Sequence, residues 1–268
     1  MQRRPFIKKL ALITSSFTVM PFISYGKMDF PKNSALKFII ASDGHFGQPD
    51  TDFEGSHKML IEALHQEEQV DLVVFNGDLI HDDPKWMPEV KKVYDTLRFP
   101  YYPVKGNHDR ISESDWEKIW GIPADYAFII QEKYGFILAN SSNKAGDYLC
   151  VDLDFLHRNL EAFKTLPMVF ICIHISQNDW TRHGVACQEI LNLIASYSNV
   201  RAVFHGHDHD VDGIMLNQKK PYLWSGHFGG SWGSPFPGYR VCEVGVDGKV
   251  VTYLKSMKEG LILNGHTL

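Results

Sequence analysis

The sequence predicts an α/β fold, one domain holding two sheets, and three observations predict it. After residue 35, short apolar runs suited to buried strands alternate with amphipathic helical stretches, the pattern of βαβ units. The second half interrupts that alternation with two hairpin-like stretches, so a second, mixed sheet is expected. The chain's 268 residues, 44% hydrophobic and 22% charged, can bury a substantial core, which excludes disordered and collagen-like classes.

The elements follow in order. LKFIIAS (36–42) reads as a buried strand, with a helix near 56–68 after it. DLVVFNG (71–77) is a second strand. DPKWMPEVKKVYDTL (83–97) is a helix with Asp83 as N-cap, Pro84 at its first position, and Trp86, Val90, Val93 and Leu97 on one face. YYPVKG (101–106) is a third strand. A hairpin over 126–142 is expected to turn at Lys133–Gly135, because glycine supplies the positive φ that such turns need. A helix near 153–164 should bury Leu153, Leu156, Leu160 and Phe163. A strand over 167–176 precedes a helix near 185–197 carrying Ile190, Leu191, Ile194 and Tyr197, and VRAVFHG (200–206) is the next strand. The last element is an Asp-Gly hairpin over 239–256.

The first 26 residues differ from the rest. Arg3, Arg4, Lys8 and Lys9 occur without an acid and precede a mildly apolar run, Leu10 to Ile23, with Ser24 and Gly26 spaced for cleavage after Gly26. This is the arrangement of an export signal, and the paired arginines resemble the twin-arginine type, read by a bacterial receptor; the alternative is a general secretory signal. The run is shorter than the ~20 apolar residues that span a bilayer, so no stable membrane insertion is expected once it is removed. Cleavage takes the formal charge from −5 to −9. With that sign and no long basic run, polymeric nucleic acid is not an expected partner. The four cysteines, Cys150, Cys172, Cys187 and Cys242, are widely spaced and form no C-x-x-C pair, which indicates neither a zinc ribbon nor a dense disulfide framework and leaves room for one or two disulfides.

Open α/β sheets place their sites at the C-terminal ends of strands. There the sequence carries Asp43 and His45, then Asp78, then Asn107, His108 and Asp109, then His174, then His205, His207 and His209. Hard oxygen and borderline nitrogen donors recur at five strand ends with no thiolate among them, which is the donor set of a transition-metal site. In VFHGHDHD, extended chain would turn the three histidines to one side.

D-x-H at 43–45, G-D at 77–78, G-N-H-D at 106–109, a lone His174 and G-H-x-H at 206–209 resemble, in order, the motifs of the calcineurin-like metallophosphoesterases. The resemblance implies a domain over 36–257 with a four-layer α/β/β/α sandwich of two mixed sheets. It also implies two divalent or trivalent transition metal ions: manganese, iron or zinc. By position, Asp43, His45, Asp78 and His209 would hold one ion, and Asp78, Asn107, His174 and His207 the other, with Asp78 shared. The implied activity is hydrolysis of a small phosphodiester or phosphomonoester, because two adjacent cations bind phosphate oxygens and acidify a water into the attacking hydroxide. His108 matches the family's non-ligand histidine, which implies a general acid or leaving-group stabiliser, with Asp109 expected to orient its ring.

The chain departs from the pattern at His81. Many members carry an acid three residues after the bridging aspartate, and purple acid phosphatases a tyrosine. His81 is expected as a surface residue or substrate contact, and His205 as a structural strand-end residue. SGHFGGSWGSPFPGYRV (225–241) resembles the closing segment of exported bacterial members, which makes His227 and Trp232 candidates for facing substrate. Trp180 and His183 are candidates of the same kind. No arginine cluster announces a phosphate clamp. Two other readings share these motifs: a metal-free interaction scaffold of the same fold, and a cytosolic cyclic-nucleotide phosphodiesterase, which requires that residues 1–26 not be a signal.

Overall fold

A computed structural model describes residues 30, 31 and 33–268, so the export signal read at 1–26 lies outside the described residues. β1 (Ser34–Ala41), β2 (Leu72–Asn76) and β3 (Tyr101–Val104) run parallel. Beyond β1 the same sheet continues antiparallel through β10 (Gly238–Gly245), β11 (Val250–Ser256) and β12 (Ile262–Thr267). The sheet therefore extends past residue 257, where the sequence reading ended the domain.

The second sheet has the order β4 (Tyr126–Ile130), β5 (Tyr134–Ala139), β6 (Met168–Ile173), β7 (Val200–His205), β9 (Lys220–Trp224), β8 (Ile214–Asn217). Here β5, β6, β7 and β9 are parallel, with antiparallel strands at both edges. Both sheets are mixed, as expected.

Three apolar layers make the sandwich. Phe38 of β1 meets Phe136 and Phe204 of the opposite sheet edge-on, at centroid distances of 5.1 and 5.7 Å, so the middle layer lies between the two sheets. Helices α1 (Phe53–His65), α2 (Met87–Tyr94) and α3 (Glu113–Trp120) cover the first sheet, burying Leu60, Leu64, Val90, Tyr94 and Trp116. Helices α4 (Leu153–Ala162) and α5 (Gln188–Ser196) cover the second with Leu156, Leu160, Ile190, Leu191 and Ile194. Side-chain oxygens of Asp52 and Asp152 cap α1 and α4, accepting from Gly55 N and Phe155 N at 2.9 and 2.7 Å.

Several expectations need correction. Asp83 does cap the 83–97 segment, accepting from Lys85 N, but Pro84–Trp86 form a single 3₁₀ turn and the α-helix starts at Met87. Leu153 is 38% exposed, because it sits in the first turn of α4 outside the packed stripe. The first hairpin turns at Gln131 and Glu132, both at positive φ (53° and 57°), while Gly135 lies inside the β5 ladder. Of the one or two disulfides that the sequence allowed, one forms, Cys150–Cys187, in keeping with the expectation, and Cys172 and Cys242 are free and buried. Helix α3 and strands β8, β9 and β12 were not anticipated.

Candidate metal centre

The loops after β1, β2 and β3 meet those after β6 and β7 at one end of the sandwich. Backbone bonds from Asp43 N to Gly77 O, His45 N to Asp78 O and Phe46 N to Leu79 O zip the first two loops together. Asp43, His45, Asp78 and His207 all have positive φ, between 48° and 67°, a conformation in which non-glycine residues are uncommon. Strained backbone here aims side chains inward and turns backbone N–H groups onto carboxylates: His207 N donates to both Asp43 oxygens at 3.0 Å, and His108 N to Asp78 Oδ1 at 2.8 Å. The motif glycines allow the crowding. A Cβ on Gly206 would overlap Ser42 Oγ and stand 2.6 Å from Asp43 Oδ2, and one on Gly106 would overlap Asp78.

Three groups bring ligand-type atoms within 4.8 Å of one another: His45 with His81 and His108, and two clusters of the expected ligands, Asp43 with His45 and His209 and Asp78 with His174 and His207. Asp78 Oδ2 stands between them, 3.2 Å from His174 Nε2 and 3.8 Å from His45 Nε2. Asp43, His45, Asp78, His174 and His209 are at most 2% exposed. His174 and His209 donate Nδ1–H to the carbonyls of Asn76 (2.7 Å) and Trp232 (3.0 Å), which orients both rings with Nε2 inward.

These residues fit metal ions. Asn107 Oδ1 and His207 Nε2 are buried without a hydrogen-bond partner, a costly state unless a cation takes their lone pairs. His45 Nε2 and His209 Nε2 face each other at 3.0 Å. Burial and the neighbouring His209 push His45 down to about 3, and burial with His174 does the same to His207, so both keep lone pairs at neutral pH. Burial opposes ionisation of Asp43, yet His209 and His174 bring it to about 2. Asp78 is likewise held well below the carboxylate range by His174, His45 and His108 against its burial. His174 rises to about 10 despite burial, because Asp78 and Asp43 favour its protonated form. Without metal, that proton is the cation between two carboxylates.

Around this core the structure corrects three expectations. Asp109 does not orient His108: its oxygens accept from Leu79 N (2.8 Å), Ile80 N (3.1 Å) and Gly106 N (2.7 Å), pinning the loop that carries Asp78. Asp82 takes the orienting place, with Oδ1 3.0 Å from His108 Nδ1 and 2.7 Å from Arg110 Nε. The acid is shifted by one position relative to the family pattern, and the left-handed turn at Asp82 (φ 62°) accommodates the shift. His81 is not a plain surface residue. Its Nδ1 lies 3.1 Å from His45 Nδ1, and its ring stacks on His108 at 4.9 Å. His227 does not face a cavity: it is 5% exposed, stacked on His209, with its ring nitrogens against the carbonyls of Gly229 and Ser234.

Trp232 does line the cavity above the cluster, about 510 Å³ in volume, together with His108, Tyr148, His183, Asp208 and Asp210. Trp180 instead packs on Tyr222 and Trp224. His205 is buried in β7, donates Nδ1–H to Ile173 O and stacks on Tyr222. Tyr148 escaped the sequence reading because it lies in an exposed loop without a motif, two residues from a cysteine. Asp82 was visible only as one of two adjacent acids.

A family model described as calcineurin-like phosphoesterase matches residues 36–211. No curated protein matches the sequence. A dimetal phosphatase from Danio rerio shares the fold at 16% identity and TM-score 0.65, over 87% of this chain and 99% of that one. A purple acid phosphatase from yellow lupin does so at 14% and 0.68, over 89% of this chain and 54% of that one. The NAD nucleotidase of Haemophilus influenzae does so at 12% and 0.53, over 85% and 53%. The chain thus spans about half the length of the last two.

Proposed function

From the premise that this chain belongs to the calcineurin-like phosphoesterase family, matched over residues 36–211, we propose an exported hydrolase that cleaves small phosphoric esters with two metal ions. One observation carries this reading: seven donors from five strand ends, divided into two clusters that share Asp78. Asp43, His45 and His209 would hold one ion and Asn107, His174 and His207 the other, with Asp78 within reach of both clusters. Manganese, iron and zinc all suit such oxygen and nitrogen donors.

Metal ions bound there supply Lewis acidity and an activated water. The chain's residues do the rest. Asp109 and the glycine contacts hold the Asp78 loop in place, and His174 and His209 are oriented by the carbonyls they donate to. His108 delivers a proton to the departing ester oxygen, with its Nδ1 held by Asp82 so that Nε2 faces the cavity. Among the described residues that line the cavity there is no lysine or arginine, so substrate phosphate would depend on the metals and these imidazoles for its charge.

Export is supported by the basic, acid-free N-terminus and independently by the Cys150–Cys187 disulfide, which persists in oxidising compartments such as the periplasm or cell exterior. The same bond disfavours the cytosolic cyclic-nucleotide reading. Among the described residues no helix is long and apolar enough to cross a membrane. N-terminal sequencing of the protein from a bacterial cell envelope should begin at Lys27.

The test is metal analysis of the purified chain, joined to a hydrolysis panel of aryl mono- and diesters, nucleotides and phospholipid head groups with manganese, zinc and iron. Fewer than one tightly bound transition metal per chain after reconstitution would favour the metal-free scaffold instead.

A further inference from the structure

The cavity over the donor clusters has two aromatic walls, and each belongs to a different cluster. Trp232 stacks flat on His209 (4.3 Å, 5°) and lies 4.9 Å from His45, both of the Asp43 cluster, and 6.5 Å from His108. Tyr148 stands edge-on to His207, at 4.7 Å, in the Asp78 cluster, with His183 edge-on to the same ring at 5.7 Å. Both walls keep open surface, Trp232 being 44% and Tyr148 40% exposed.

Both are also held in place. The Trp232 carbonyl accepts from His209 Nδ1 at 3.0 Å, and Ser234 N donates to His209 O at 3.1 Å, so this wall is tied to a ligand position. Tyr148 is two residues from Cys150, whose bond to Cys187 joins its loop to the segment carrying His183. Gln177 reinforces the junction, accepting from Val151 N and donating to Leu149 O.

Charge narrows the ligand. Among the described residues that line the cavity there is no lysine or arginine, while Asp208 and Asp210 add carboxylates to the wall. Such a wall suits a singly charged phosphate better than the dianion of a monoester, for which bidentate arginine contacts are the usual partner. A volume of about 510 Å³ is more than a bare phosphate fills and falls in the range of organic ligands.

Resting on the phosphoesterase reading, we propose that the substrate is a phosphodiester with two sizeable ester groups, the departing one beside Trp232 and a flat, retained one against Tyr148. Hydrolysis breaks the bond from phosphorus to the departing oxygen and forms one to the oxygen of water. His108 protonates the departing oxygen, which leaves as the alcohol, and the proton lost by water goes to solvent, leaving a phosphomonoester on the Tyr148 side.

The experiment keeps 4-nitrophenol as the leaving group and varies the retained group on the metal-loaded enzyme: none (4-nitrophenyl phosphate), methyl, phenyl and thymidine. The expected order of kcat/KM is phenyl or thymidine above methyl, by about fivefold for one aromatic contact, and methyl above the monoester. Thymidine against phenyl tells a nucleobase from a simple aryl group, and a preference for either supports the proposal. Tyr148→Ala should bring the phenyl-to-methyl ratio close to one, Tyr148→Phe should keep it, and Trp232→Ala should lower all diesters together without changing it. A ratio that survives Tyr148→Ala, or a faster monoester, overturns the inference and leaves the phosphoesterase reading standing. A metal-loaded protein that cleaves none of the four overturns both.

Discussion

Opening the Cys150–Cys187 disulfide should cost this protein a large share of its stability. The bond joins the loop before α4 to the N-cap residue of α5 and closes a sequence separation of 37 residues. Chain-entropy reasoning gives about 4 kcal/mol for a loop of that length, which is comparable to the lower end of whole-domain stabilities, about 5–15 kcal/mol. For a chain of this size that corresponds to a fall in Tm of roughly 8–16 °C. The hydrogen bonds that Gln177 makes across the same junction survive in the folded protein, but they do nothing to restrict the unfolded chain, so they do not replace the bond. The two free cysteines, Cys172 and Cys242, are both 0% exposed, so reshuffling in the native state is blocked. Thermal and urea unfolding of the wild type with and without dithiothreitol, and of the Cys150→Ser/Cys187→Ser double variant, should agree on the loss. A loss below about 1 kcal/mol, or one seen with reductant but absent from the double variant, would refute the reasoning.

Asp82→Ala should lower kcat by about 10–100-fold with metal content unchanged, because His108 loses the carboxylate on its Nδ1; equal activity, read beside metal analysis, would return Asp82 to the surface. Gly206→Ala should destabilise by about 2 kcal/mol and lower metal occupancy, since its Cβ pushes on Ser42 and Asp43; full occupancy in elemental analysis would contradict this. His57 is buried among Phe46, Tyr94 and Phe228, and burial brings its pKa down from the ordinary 6.5 to about 4. The unfolded chain takes the proton first, so the stability tied to neutral His57 is present above pH 6.5 and is lost as pH falls towards 4, by up to about 3 kcal/mol. Urea midpoints across that window should decline less steeply for His57→Leu than for wild type, and parallel slopes would count against the assignment.

What the sequence made legible, and what it hid, divides along physical lines. Strands β2 and β6 are buried throughout, β1 is so beyond Lys37 and β7 apart from Arg201, and the ends of these four and of β3 converge by topology, so the seven donors were visible as a set. Helix α3 buries only Trp116 and offered no stripe. The first hairpin shows how a sound rule misleads. Gly135 attracted the turn because glycine adopts positive φ freely, yet Gln131 and Glu132 make it, and Gly135 is small because a Cβ there would stand 2.6 Å from the Phe163 ring. The site hides its geometry in the same way. Asp43, His45, Asp78 and Asp82 adopt left-handed φ at a cost of about 1–3 kcal/mol each, which no composition or periodicity records. Such a conformation persists only where surrounding contacts outweigh it, and here they are backbone bonds between loops of different strands, from Asp43 N to Gly77 O and from Asp82 N to His108 O. Residue type therefore announced which side chains gather at the strand ends, while the contacts that depend on a single backbone torsion, Asp82 in place of Asp109 above all, required the folded chain.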